Sequence, residues 1–167
     1  MTDEALQISI VNAQDLEGRF DVNFHNPNAV SIMSKIRKLE KEKGVYVRAL
    51  GSFGTLRKGI FEIPSSAYVD EGVPFVRVSS IRNGTLDKNN LTHITDEWHN
   101  KNEKTALNPQ DIAISKGGAT TGKIAVIPNW AGQVNASQDI IAMELSDKKF
   151  SGYLSSFLAS EAGQILM

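Results

Sequence analysis

The sequence predicts a mixed α/β (α+β) fold, a single globular domain built on a twisted, loop-rich β-sheet flanked by a few helices. Three observations carry this expectation. Apolar residues recur at helical spacing in two places, at Ala29, Ile32, Met33, Ile36 and Leu39 and again at Tyr153, Leu154, Phe157, Leu158 and Ile165. Between Val73 and Leu145 the apolar residues instead fall into short runs bounded by Gly, Pro and Asn, which is the punctuation of strands and turns. The 167 residues, 41% of them apolar and 22% charged, are enough for one core without covalent staples.

Each element follows from its own residues. Residues 1–18 form an acidic N-terminal leader, and ALQISIVNA within the first 26 residues is read either as a short strand or as a segment packed on the body. Asn26-Pro27-Asn28 is a turn signal, Pro27 suits the first turn of a helix, and Gly44 closes a helix of about 14 residues. Val45, Val47 and Leu50, interleaved with Tyr46 and Arg48, then begin a strand-like alternation. VPFVRVSSI is read as one strand, Asn83-Gly84 as a hairpin turn, and Thr85–Leu86 as the short strand after it. LTHITDEWHNK runs from a strand end into a short helix. DIAIS and KIAVIP are strands on either side of the loop GGATTG, DIIAMEL is another strand, and Phe150–Leu166 is one amphipathic helix. The absence of repeats and linkers makes residues 19–167 one domain.

Composition and motif spacing exclude several kinds of chemistry. The chain has no cysteine, which removes disulfides, thiol nucleophiles and thiolate metal sites and fits a cytoplasmic protein. The N-terminus lacks the pattern of a signal peptide, and no apolar run approaches the ~20 residues of a membrane span. Gly117–Lys123 matches G-x-x-x-x-G-K, yet Ile124 stands where a magnesium-binding hydroxyl belongs, and the following IAVIP is a strand rather than a helix that would aim its amides at a phosphate. His25, His93 and His99 show no metal-ligand spacing and are read as surface or loop residues. Asp70-Glu71, Asp96-Glu97 and Glu103 sit in turn-like segments, unlike carboxylates tuned for acid–base work. There is no G-x-S-x-G elbow, and neither Asn26-Pro27-Asn28 nor Asn108-Pro109-Gln110 has the second proline and aromatic ring of an adenine methyltransferase signature. An independent enzyme is therefore not expected, and no cofactor or metal site is assigned.

The net charge of −1 hides a partition: −4 over residues 1–31, +6 over 32–58, −3 over 59–115 and zero over 116–167. SKIRKLEKEK is either a solvated helix face with i,i+4 pairs or a basic patch facing an anionic partner. TLRKG, RVSSIRN, SKGGATT and NASQ combine Arg or Lys with Ser, Thr, Asn and Gln near strand ends. Such groups can pair with base edges or bind phosphate, although polar loops are also the ordinary surface of any domain.

The order of the motifs adds a resemblance. GVPFVRVSSIRNG, then LNPQDIAISKGGATTGKIAVIP, NASQDIIAMEL and YLSSFLASEAGQ, with RFDVNFHNP before them, resemble the target recognition domains of the specificity (S) subunits of type I restriction-modification systems and related DNA methyltransferases. The resemblance covers about residues 19–167. It implies a non-catalytic reader of one half of a split double-stranded DNA site. It further implies methyltransferase (M) and restriction (R) subunits as partners, with S-adenosylmethionine and ATP bound by those partners, and a second S half as a further one. Two features depart from the family: no helix has the length of its spacer, and the sequence stops at GQILM, so a fragment or half of a longer S subunit is expected. The alternative is an assembly module that binds methyltransferase subunits without stable DNA binding. Residue type then nominates Arg57, Lys58, Arg77, Arg82 and Lys116 for guanine or phosphate, and Ser79, Ser80, Asn83, Thr120, Thr121, Asn135 and Gln138 for finer contacts.

Overall fold

The computed structural model describes residues 25–117 and 121–167. The leader, the ALQISIVNA segment, most of RFDVNFHNP and Thr120 lie outside the described residues. The fold is α+β, and the chain divides into two compact units, residues 1–47 with Leu166 and residues 48–165 with Met167.

In the first unit, helix α1 spans Pro27–Lys43. Its limits are those the residues dictate. The Asn26 side chain accepts the Asn28 N–H at 2.9 Å, Pro27 occupies the first turn, and Gly44 ends the helix in the left-handed conformation at φ 63°. Lys41 and Lys43 sit in the last turn, where cations suit the helix dipole. Val45–Val47 form no strand: these residues are exposed, without the partner that an alternating pattern needs. His25 is buried rather than at the surface.

The second unit holds two sheets and a ribbon. The first sheet has the order β1 (Gly54–Lys58), β11 (Ile140–Leu145), β8 (Ile112–Ser115) and β9 (Ile124–Val126), every neighbour antiparallel. The second has the order β2 (Tyr68–Val69), β6 (Thr92–Ile94), β3 (Val73–Val76), β10 (Val134–Ala136) and β7 (Ala106–Leu107), in which only β3 and β10 run parallel. The ribbon pairs β4 (Ile81–Arg82) with β5 (Thr85–Leu86). Its Asn83 and Gly84 have φ 52° and 78°, the two positive values of a type I′ hairpin turn, as the pair Asn-Gly predicts. Among the described residues no sheet closes into a barrel.

Side-chain size decides how these layers pack. Ala113, Ala125, Ile140 and Ala142 from the first sheet meet Val76, Leu107, Val134 and Ala136 from the second, and Ile81 and Leu86 of the ribbon join them. The alanines let the two sheets approach. On its other face the first sheet turns Ile112, Ile114, Ile124, Met143 and Leu145 toward Leu154 and Leu158 of helix α3 (Ser151–Ala159). Both faces of β8 are therefore covered, which is why IAIS has no polar alternation. Each fully buried aliphatic side chain here contributes about 1.5–3 kcal/mol. A third cluster, Ile60, Phe75 and Ile94 with Tyr68 and with Trp98 of helix α2 (Asp96–Lys101) against it, covers the other face of the second sheet.

Two elements differ from expectation. VPFVRVSSI is not one strand: β3 ends at Val76, and residues 78–80 turn in a 3-10 helix before β4. The Ser80 N–H donates to the Arg77 carbonyl at 2.9 Å, and the Ser80 hydroxyl accepts the Arg77 N–H at 3.3 Å, so a local turn replaces the ladder. The C-terminal helix likewise breaks at Ser160, whose hydroxyl accepts the Gly163 N–H and caps α4 (Glu161–Leu166). Tyr153 and Phe157, expected on the buried face, are exposed; Leu154 and Leu158 are the buried pair. The close turn needs glycine at 163, where a Cβ would sit 2.1 Å from the Phe157 carbonyl oxygen.

The Gln164 amide N–H2 donates to the Gly122 carbonyl at 2.8 Å and to the Leu158 carbonyl at 2.7 Å, joining α4 to the β8–β9 hairpin and to α3. Gln164→Ala is expected to lower stability by about 1–2 kcal/mol, read from the midpoint of urea unfolding, because it leaves two carbonyls without this donor.

Candidate functional site

Strands β3 and β10 run side by side in the same direction, with Asn135 opposite Phe75 and Ala136 opposite Val76. The Ser137 N–H still donates to the Val76 carbonyl at 2.9 Å, and beyond that bond the two chains part. A cleft of about 370 Å³ opens there, at the carboxyl ends of the parallel pair. Arg77, Val78 and Ser79 form one wall and Ser137, Gln138 and Asp139 another. The third side is the segment that leaves β1: Ile60 pairs with Ser137 through an isolated bridge, and Phe61 and Ile63 follow it. Tyr68 and Phe75 make the floor, their rings edge to face with centroids 6.0 Å apart.

Three of the residues nominated from sequence line this one cleft: Arg77, Ser79 and Gln138, all exposed. The Arg77 guanidinium donates to the Thr92 hydroxyl on β6, which fixes the direction of the side chain. The Ser79 carbonyl accepts the Asn90 amide at 2.8 Å, anchoring the turn. Lys116 does not line the cleft; its main-chain N–H donates to the Asp139 carbonyl at 2.9 Å.

The other nominated residues lie elsewhere, and two are inside. Asn135 is fully buried on β10. Its amide donates to the Asn102 carbonyl at 3.1 Å and the Thr105 hydroxyl at 3.0 Å, and its carbonyl oxygen faces His99 Nδ1 at 2.5 Å. Every polar atom of that side chain serves the fold. Ser80 is also fully buried; its hydroxyl donates to the Asn90 carbonyl at 3.1 Å besides accepting from Arg77. Neither side chain reaches a surface ligand. His99, whose other ring nitrogen faces the Gln133 amide oxygen at 3.0 Å, is a half-buried bridging residue rather than a loop histidine.

Arg57 lies on β1, 2.9 Å from the Glu144 carboxylate and 3.1 Å from the Lys104 carbonyl, and Lys58 is exposed one residue on. Arg82 pairs with Asp87 at 3.5 Å on the β4–β5 ribbon, and Asn83 supplies the positive φ of the turn. Thr121 is exposed beside Gly122. β8 and β9 are antiparallel strands, so Lys123 leads into a strand, and the G-x-x-x-x-G-K match has no helix behind it.

Among the cleft residues that were not nominated, Phe61 and Asp139 stand out. Phe61 is 75% exposed, and Asp139 is exposed as well. Asp139 directly follows the NASQ segment, and Phe61 stands between Ile60 and Glu62, a bare aromatic ring in an otherwise buried-then-charged context. The carboxylates held below their ordinary range are distant from this cleft in sequence: Glu97 through its hydrogen bond and attraction to Lys101, and Asp147 through hydrogen bonds from Lys149. Among the described residues no group of three or more His, Asp or Glu gathers as for a metal ion, and no helix is long and apolar enough to cross a membrane.

No family model matches the sequence, and no curated protein matches it. Solved structures do. A chain from a study of complex assembly and conformational transition of the type I R-M system superposes with a TM-score of 0.52 at 16% identity, over 82% of this chain and 35% of that one. The fold resembles that chain's. The HsdS subunit from Thermoanaerobacter tengcongensis gives a TM-score of 0.47 at 15% identity, over 83% of this chain and 38% of its own. The chain thus spans about a third of the length of the structures it matches.

Proposed function

We propose that this chain is a non-catalytic DNA reader that recognises one half of a split double-stranded target for a type I restriction-modification complex. Methyltransferase and restriction subunits and a second S half are its partners in this reading. The observation that carries it is the cleft at the ends of β3 and β10, whose lining includes a cation, a hydroxyl and an amide in Arg77, Ser79 and Gln138. Arg reads guanine O6 and N7, Gln reads adenine N6 and N7, and serine suits either a base or a phosphate. The likeness in fold to a chain from the type I R-M study supports the same reading. A net charge of −1 supplies little bulk attraction to a polyanion, so affinity for DNA by the isolated chain should be weak and strongly dependent on salt.

Fluorescence anisotropy with mixed-sequence duplexes at about 50 mM salt tests this, since phosphate contacts weaken steeply above that range. The protein is expected to bind, and Arg77→Ala to weaken binding by about 5- to 150-fold, the loss of one good base or phosphate contact. Absence of any duplex retention at low salt overturns the reading. Exposed Tyr153 and Phe157, one turn apart on α3, favour a second reading, an assembly module without stable DNA binding. Capture of methyltransferase subunits by a chain that retains no duplex selects it.

A further inference from the structure

The cleft combines three unlike groups. Phe61 offers a ring that is 75% exposed, Asp139 an acceptor, and Arg77 and Gln138 donors. A phosphate accepts hydrogen bonds and offers none, so an aspartate beside it is repulsive. A nucleobase differs: it has an apolar face that stacks on aromatic rings, and an edge bearing both donors and acceptors.

We propose that this cleft holds one nucleobase, with Phe61 stacked on its face and Gln138, Asp139 and Arg77 around its hydrogen-bonding edge. The proposal rests on the DNA reading above and deepens it, naming a base rather than a phosphate as the ligand of this site. At about 370 Å³ the cleft lies in the range of small-ligand sites, which begins near 300 Å³. Tyr68 and Phe75 add aromatic surface to the lining, against which a flat heterocycle can pack. Asp139 requires an N–H on the edge it meets, most readily the exocyclic amino group of adenine, cytosine or guanine, because a carboxylate can only accept. A base inside a duplex is covered on both faces, so stacking on Phe61 requires that it leave the stack, and a mismatched or unpaired base does so more cheaply.

The experiment compares wild type, Phe61→Ala and Phe61→Trp on mixed-sequence duplexes carrying a central 2-aminopurine, either paired or mismatched. Phe61 is exposed, so neither substitution threatens the core. The expected result is tighter binding of the mismatched duplex by wild type, a change in 2-aminopurine emission on binding, and a loss of about 5- to 150-fold in affinity for Phe61→Ala, with Phe61→Trp restoring both signals. If wild type binds duplex but Phe61→Ala binds equally well with the same emission, the base site is overturned while the DNA reading stands. If Phe61→Ala is unchanged and Arg77→Ala alone abolishes binding, the cleft is a phosphate site and the proposal also fails. If wild type retains no duplex, the DNA reading itself falls.

Discussion

Replacing Asp111 by Ala is expected to destabilise the protein by about 3–5 kcal/mol, the range for breaking a buried charged network. Asp111 is fully buried at the start of β8. Its Oδ1 accepts the Leu145 N–H at 2.7 Å and also pairs with the Lys148 ammonium; its Oδ2 accepts the Asn108 N–H at 2.8 Å. One carboxylate thus closes the turn before β8 and fastens the end of β11 to it. Alanine removes all three acceptor contacts and leaves the buried Leu145 N–H without a partner. Asp111→Asn is expected to fall between wild type and alanine, because its amide keeps one acceptor but sets a donor against another donor. Lys148→Met should cost less, about 1–3 kcal/mol, since that side chain is 39% exposed and both backbone donors to Asp111 survive. Urea unfolding of the three variants checks this order. An Asp111→Ala protein within about 1 kcal/mol of wild type would contradict the assignment of the aspartate as the anchor.

The residues that act locally were legible in the sequence, and those that act across the fold were not. Asn26, Pro27 and Gly44 bound α1 as their types require, Asn83-Gly84 makes the hairpin turn, and Ile124 after the glycine loop marks a strand. Each of these works through its own backbone or its immediate neighbours. Asn135 shows the opposite case. NASQ reads as a polar loop, yet Asn135 is buried because Asn102 and Thr105, about thirty residues away, present the acceptors that satisfy it. VPFVRVSSI has the composition of a strand, and only the Ser80 hydroxyl turning back on Arg77 stops it. The cleft was half legible for the same reason. Arg77, Ser79 and Gln138 are recognisable by residue type, but their meeting depends on the parallel pairing of β3 with β10, which joins segments about sixty residues apart. Phe61 reaches the same place through the Ile60–Ser137 bridge, a contact with no trace in local pattern.

That bridge makes Gly59 the second position of large expected effect. Gly59 donates its N–H to the Ile140 carbonyl at 3.1 Å, and Ile60 donates to the Ala136 carbonyl at 2.7 Å, so the chain steps here from the edge of the first sheet to the end of β10 in the second. A Cβ at residue 59 would lie 2.1 Å from the Ser137 carbonyl oxygen and 2.3 Å from that of Ala136. Both obstacles are backbone, so no rotamer change relieves them; the strands must separate. Gly59→Ala is expected to cost about 3 kcal/mol or more, in the class of backbone changes that the native geometry does not admit. Gly51→Ala is the matched control, because nothing lies within 4 Å of its Cβ, and it should stay within about 0.5 kcal/mol of wild type. The consequence for the cleft is separable from the loss of stability. At temperatures where Gly59→Ala remains folded, parting Ile60 from Ser137 withdraws Phe61 from Gln138, and duplex binding should fall at least as far as in Phe61→Ala. If Gly59→Ala matches Gly51→Ala in both unfolding midpoint and duplex affinity, the close approach of these two strands does not hold the cleft together.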